Sequence, residues 1–399
     1  MSQYCSHKGA SLARHATQSS PSPLRTARGA LVAFLAIAGI ATVVGLALLW
    51  PGGKQPEVLP GFEQTQTSTA ETVKATVIEH SVASCGGVAT PNHPECDFLR
   101  VELKSGGTTT IETAQQPGTP ELSVGDRVVL SVHHSPETSY SFLDMDRSVP
   151  LGLWLALTLL VVVAVGAWRG LRAIFGLLCT LLVIFGFLVP GLLLGYSPVG
   201  LSLVTGAAVL FPVIFVVHGR NWKSASALAG TLTALGLAAL AAHLAIDTTQ
   251  LRGLADENNL LIHMYLPQVQ VPGIMLAGFI IGALGVLTDV TIAQASTVQE
   301  LYETSPDARP RTVFTSAMKV GHDHIASMVY TLVLAYMGAA LPLSMLLQVA
   351  DRPLTQVLTS DVVATEIMRS SIGAIALVLA VPITTAIAAW TIRAPQPQQ

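Results

Sequence analysis

The feature that most constrains this chain is a series of apolar runs. Each is about 20 residues long, enough to cross a hydrocarbon core of roughly 30 Å as a helix. The runs lie near Ala30–Trp50, Val149–Trp168, Ala173–Leu194, Val199–Val217, Ser224–Ile246, Pro272–Ala293, Ile325–Val349 and Ser370–Ile392. Charged residues make up 11% of the sequence, against about 25% in a soluble domain. So few charges cannot cover a water-soluble body of this size, whereas lipid accepts Leu, Val and Ala directly. The expected partner is the lipid bilayer. A net charge of −3 with no long basic run argues against nucleic acid as the main partner.

The expected fold class is an all-α polytopic membrane protein of about eight transmembrane helices with an inserted small extracytoplasmic β domain. Residues 1–27 read as a disordered cytoplasmic tail, 28–50 as the first transmembrane helix, and 51–147 as the β domain. Residues 148–393 read as a seven-helix transmembrane domain and 394–399 as a second cytoplasmic tail. The first span is an anchor rather than a secretory signal, because Leu49-Trp50-Pro51 is no small-x-small cleavage site. Within 51–147, Thr72–His80, Phe98–Leu103 and Asp126–Val132 have strand character. Gly86-Gly87, Gly106-Gly107 and Gly125 supply turns. An OB-like barrel is the expected form.

Basic residues set the expected orientation. With the N-terminus inside, the inner segments carry Lys8, Arg14, Arg25, Arg28, Arg169, Arg172, Arg220, Lys223, Arg309, Arg311, Lys319 and Arg393. The short outer loops carry Arg252, Arg352 and Arg369. Both termini then fall in the cytoplasm. Cys85 and Cys96 share the outer segment, where a disulfide is the leading reading and free thiols or a metal are the alternatives.

Polar groups on spans need a reason, because lipid penalises them. The stretch GFIIGALGVLTDVTIAQASTVQEL contains a GxxxG pair, Gly278 and Gly282, suited to close helix packing. Helical spacing puts Asp289, Ser296 and Glu300 on one face. Three readings stay open for that face: a solvated helix end, a polar cavity, or a buried structural bond. In MKVGHDHIASMVYTLVLAYMGAALP, Lys319 and Asp323 are spaced to pair along a helix. His322 and His324 point to opposite sides and cannot share a metal there. Asp289 and Asp323 have similar estimated depths, so a shared polar cavity on the cytoplasmic side is expected. An intramembrane aspartyl protease is disfavoured, because Thr288 precedes the first Asp and Gly321-His322 the second. No phosphate loop, His-Glu-x-x-His or Gly-x-Ser-x-Gly is present. Neither a catalytic residue, a metal site nor a cofactor is expected, and the chain is not read as an enzyme. Pro190 and Pro212 are expected to kink their spans.

Together, GALGVLTDVTIAQASTVQEL and GHDHIASMVYTLVLAYMGAALPLSMLL resemble the YibE/F family of multispanning bacterial membrane proteins. The resemblance is expected over about residues 70–392. Its motif positions are Asp289, Ser296, Glu300, Gly321, Asp323, Thr331, Ala335, Tyr336, Gly338 and Pro342. His322 stands where the family pattern often has Arg, which weakens any role needing a permanent positive charge there. The resemblance implies a bacterial cell membrane location and no particular reaction. Two functions compete. One is a transporter or permease for a small molecule or ion, with Asp289, Ser296, Glu300, Lys319, Asp323 and Tyr336 as polar-cavity candidates. The other is a scaffold or sensor whose outer domain binds a partner.

Overall fold

Lipid offers a peptide group no hydrogen-bonding partner, so the apolar runs must satisfy their own backbone as helices. The computed structural model describes residues 23–62, 71–84, 95–114, 118, 120–133, 138–254, 256–349 and 352–392. Its helices are α1 (Pro23–Leu48), α2 (Ser148–Val183), α3 (Val189–Leu193), α4 (Pro198–His218), α5 (Trp222–Thr249) and α6 (Glu257–Tyr265). They continue as α7 (Val271–Thr304), α8 (Pro310–Ala339), α9 (Leu341–Val349), α10 (Leu354–Leu358) and α11 (Asp361–Thr391). Local chemistry starts several of them. Asn221 accepts the Ser224 N–H at 2.8 Å at the head of α5, and proline occupies the first turn of α4, α7 and α8.

Among the described residues, six helical stretches are long and apolar enough to cross a membrane, or seven if α8 and α9, bent by 63°, form one span. One of the six is the 46-residue stretch Ser148–Leu193. As a straight helix it would measure about 69 Å. Its backbone breaks at Ala167, where φ is 46° and ψ −129°. Val162 and Gly170 are eight positions apart, or about 12 Å in a straight helix. Here a Cβ on Gly170 would collide with the Val162 carbonyl oxygen. The chain therefore doubles back at Ala167. Pro212 sits inside an uninterrupted α4. Pro190 follows a π-helical turn, Ile184–Leu188. That turn shifts the hydrogen-bond ladder by one residue just where proline lacks an N–H.

The centre of the bundle is formed by α5, α7 and α11, each packed on the other two, with α4 and α8 against this trio. Leu228, Ile280, Leu287, Leu377 and Val381 are fully buried in it. Arg28 near the start of α1 donates to the Thr391 carbonyl at 2.9 Å and lies over the Trp222 ring at 4.7 Å. The end of α11 thus sits beside the start of α1. The start of α11 faces the other side, the side on which α1 ends and the β domain begins.

That domain is one antiparallel sheet in the order β3-β2-β1-β4-β5. The strands are β1 (Glu71–Ser84), β2 (Glu95–Leu103), β3 (Thr108–Ala114), β4 (Arg127–His133) and β5 (Ser139–Met145). Val77, Leu99, Val101, Ile111, Val128 and Leu130 fill its inner face. Contact between β3 and β5 curls the sheet on itself. At the junction with α2, Lys74 reaches Asp146 at 3.0 Å. Hydrogen bonding by Ser148, then by Lys74, holds the Asp146 carboxyl down at about 2. Cys96 is buried and disulfide-bonded. Cys85 lies outside the described residues, and Cys179 is a free thiol.

The Ala167 break gives a direct test. Gly170→Val is expected to destabilise the chain by about 1–3 kcal/mol, because the obstacle is backbone and cannot repack. Gly166→Ala, whose Cβ meets nothing within 4 Å, should leave thermal unfolding in detergent unchanged. Equal behaviour of the two variants would contradict the hairpin.

Candidate functional site

The sequence places the last span from Ser370, with Arg369 in an outer loop. The structure corrects this, because α11 begins at Asp361 and so carries Glu366 and Arg369 inside the helix. The cause is local. An i,i+3 pair of opposite charges can satisfy itself along one helix face, so charge density alone did not end the helix. Arg369 Nη1 donates to both Glu366 oxygens, at 2.8 and 3.0 Å. The guanidinium also lies 5.7 Å from the Phe279 ring centroid on α7 and 5.9 Å from that of Tyr336 on α8. Aromatic faces attract a cation more strongly where water is scarce. Gly282 makes room for this arrangement, since a Cβ there would sit 3.1 Å from the Tyr336 hydroxyl.

A cavity of about 630 Å³ opens beside this pair, on the β-domain side, between α8, α9, α10 and α11. Its polar lining includes Tyr336, Ser344, Gln348, Arg352, Glu366 and Ser370, and the rest is chiefly aliphatic. The 63° bend between α8 and α9 forms one wall.

Toward the opposite side the trio closes on a neutral polar core. Gln294 on α7 is fully buried. Its Oε1 accepts from Thr385 Oγ1 at 2.9 Å, and its Nε2 approaches His324 Nδ1 of α8 at 3.5 Å. Thr231 and Thr291 join α5 to α7 at 2.7 Å. Ser226 and Thr391 join α5 to α11 at 2.8 Å. The Tyr302 hydroxyl donates to the Ala389 carbonyl at 2.6 Å. A Cβ on Gly321 would fall 3.2 Å from Gln294 Nε2 and 2.7 Å from Val381. Gly321 therefore lets α8 close over the amide.

The residues singled out in the sequence divide between these regions. Tyr336 and Gly282 reach the Glu366–Arg369 site. Gly278 faces open space, so it does not make the close contact expected of the GxxxG pair. Asp289 and Glu300 are exposed in the isolated chain and Ser296 is half-buried. The inward face of α7 is instead Val290, Thr291, Gln294 and Ala295. Burying a neutral, bonded amide costs far less than burying a carboxylate. Asp289 interacts electrostatically with His218 at the end of α4. Lys319, His322 and Asp323 are exposed on α8. Among the described residues no hydrogen bond or ion pair joins Asp289 to Asp323 or Lys319 to Asp323. No group of three or more His, Cys, Asp or Glu able to hold a metal occurs among the described residues. Sequence reasoning missed Glu366, Arg369 and the weight of Gln294. The signal available was the spacing of Glu366 and Arg369 ahead of an apolar run.

This division predicts opposite responses. Gln294→Ala should lower stability by about 1–3 kcal/mol through the void it leaves and the lost bond between α7 and α11, read as a fall in the thermal midpoint. Asp323→Asn should change stability by no more than about 0.5 kcal/mol.

A family model described as YibE/F-like protein matches residues 154–394. The match begins within α2 and takes in α3 through α11. It leaves out α1 and the β domain, where the resemblance was expected from about residue 70. No curated protein matches the chain, and no solved structure does.

Proposed function

Since the chain belongs to the YibE/F-like family and carries several membrane-length apolar helices, we propose that it is a transporter or permease whose substrate enters from the β-domain side. The observation that carries this reading is the cavity of about 630 Å³ with Glu366 in its wall and Arg369 behind it. Ionisable groups inside a membrane are costly and usually mark a substrate or ion path. A salt bridge held there against two aromatic rings is more than packing requires. The acidic group of the path is thus Glu366 rather than Asp289 or Asp323. The reading assigns no catalytic step to the chain.

The same proposal fixes a topology. The two arms of the Ala167 break cross separately, and α8 with α9 crosses once. Together with α1, α4, α5, α7 and α11 this makes eight spans. Both termini then lie in the cytoplasm of a bacterial cell, with the β domain outside. Arg28, Arg169, Arg172, Arg220, Lys223, Arg309 and Arg311 support this orientation by falling at ends or connections on one side. The ring order 3-2-1-4-5, with β3 returning to β5, supports an OB-like barrel.

Proteoliposomes on a solid-supported membrane, challenged with Na⁺ and pH jumps and with a panel of organic ions, test the function. The wild type should give transient currents with at least one class. Glu366→Gln should lower them by about tenfold or more, roughly 1.4 kcal/mol in a barrier. Asp323→Asn should keep them within about twofold. Wild-type currents from Glu366→Gln, or no current across the panel, would overturn the reading.

A further inference from the structure

The walls of the cavity carry information about what it takes. α9 shows Leu341, Met345, Leu346 and Val349 outward, at 57, 66, 71 and 84% exposure. Its only two polar side chains, Ser344 and Gln348, are one turn apart and both line the cavity. A helix that merely floated in lipid would have no reason to sort its polar groups this way. On the facing wall, Ser370, Ser371 and Glu366 of α11 turn to the same space. Between these polar groups lie Val333, Met337, Leu347, Val357 and Ile367. The interior is therefore aliphatic with a few placed hydrogen-bonding groups, the usual composition of a small-molecule site. Its volume of about 630 Å³ falls inside the range of roughly 300–1,000 Å³ that holds a drug-sized molecule.

The charge balance sets the sign of the ligand. Glu366 is neutralised by Arg369. Arg352 lines the cavity, is exposed, and has no hydrogen-bond or ion-pair partner among the described residues. Among the described residues at the cavity, one positive charge is left over. A guanidinium offers a planar fork of donors that suits a carboxylate. We infer that the cavity binds a single-chain organic monoanion, its carboxylate on Arg352 and its aliphatic body packed between α8, α9 and α11. This deepens the transport reading and rests on the same cavity. A two-chain phospholipid is the competing occupant, and the test below separates the two.

The test uses the full chain in nanodiscs of phosphatidylcholine, photolabelled with a laurate bearing an aliphatic diazirine. Labelling should map to peptides spanning residues 333–371. Unlabelled laurate should compete at least about tenfold better than dodecanol or dodecylammonium, roughly 1.4 kcal/mol of binding. Arg352→Glu should weaken labelling by about tenfold and Arg352→Lys by less. Leu347→Trp, which fills the cavity without touching the charge, should abolish it. Label concentrated on α1 and α2, equal competition by dodecanol, displacement by added phospholipid, or indifference to Arg352→Glu would each overturn the inference. Charge-selective labelling in a protein that carries no current would leave this inference standing and sink the transport reading. Currents from other ions without charge-selective labelling would do the reverse.

Discussion

The approach of α5 to α11 at Gly230 is the contact on which the rest of the bundle depends. A Cβ on Gly230 would strike Thr384, whose Cα would lie only 3.1 Å away. Lipid supplies no hydrophobic force between helices, so association rests on close packing and on hydrogen bonds across the contact. Both are concentrated here. Ser226 bonds Thr391, Thr231 bonds Thr291, and Gln294 bonds Thr385. These three links join α5 to α11, α5 to α7, and α7 to α11. Each pair of the trio is thus tied by fully or nearly fully buried side chains, and α7 is tied to α11 a second time through Tyr302. Two of the helices packed on the trio, α8 and α4, approach through glycine as well. Gly321 of α8 meets Val381 and Gln294, and Gly206 of α4 meets Leu235.

This arrangement makes the two ends of the bundle physically different. Toward the ends of α7 and α11 the core is narrow, uncharged and bonded to itself. Toward the start of α11 the helices spread, α8 bends into α9, and an ion pair faces a cavity. Neutral hydroxyls and an amide can be buried at little cost when they are bonded. A carboxylate and a guanidinium need each other, aromatic faces, or water. Gln294, Thr385, Thr231, Thr291, Ser226 and Thr391 meet the first condition and the Glu366–Arg369 pair the second. The buried hydroxyls of Thr205, Ser224 and Thr384, by contrast, have no partner among the described residues. The proposed substrate path would use the open charged half as its entrance and the threonine–glutamine core as the barrier beyond it.

Much of the helical architecture could be read from hydropathy, since runs such as Val199–Val217 and Ser224–Ile246 became α4 and α5 with ends shifted by a few residues. The strands β1, β2 and β4 were legible because their apolar residues alternate or cluster. β3 was not: in Thr108–Ala114 burial alternates, but Thr109 and Thr113 flank Ile111 at the less exposed positions, so the sequence shows no apolar alternation. β5 has no fully buried residue. The buried polar face of α7 is not the one singled out in the sequence. Asp289, Ser296 and Glu300 share a helical face, but periodicity does not say which face turns inward, and desolvation of the carboxylates favoured Gln294 and Thr291. The Glu366–Arg369 pair was hidden because charges next to an apolar run look like a loop. Their mutual bonding and the rings of Phe279 and Tyr336 come from three different helices, which no local pattern reveals.

The central claim is that water and substrate reach the Glu366–Arg369 site from the β-domain side and stop at the threonine–glutamine core. Cysteine accessibility along α11 tests it most directly. With Cys5 and Cys179 replaced by Ser, cysteines introduced one at a time at Ser370, Ser371 and Thr384 are exposed in intact cells to a small membrane-impermeant thiol reagent. The account predicts rapid modification at Ser370 and Ser371, slowed by Leu347→Trp, and none at Thr384. Unreactive cysteines at both cavity positions, or a reactive one at Thr384, would contradict it.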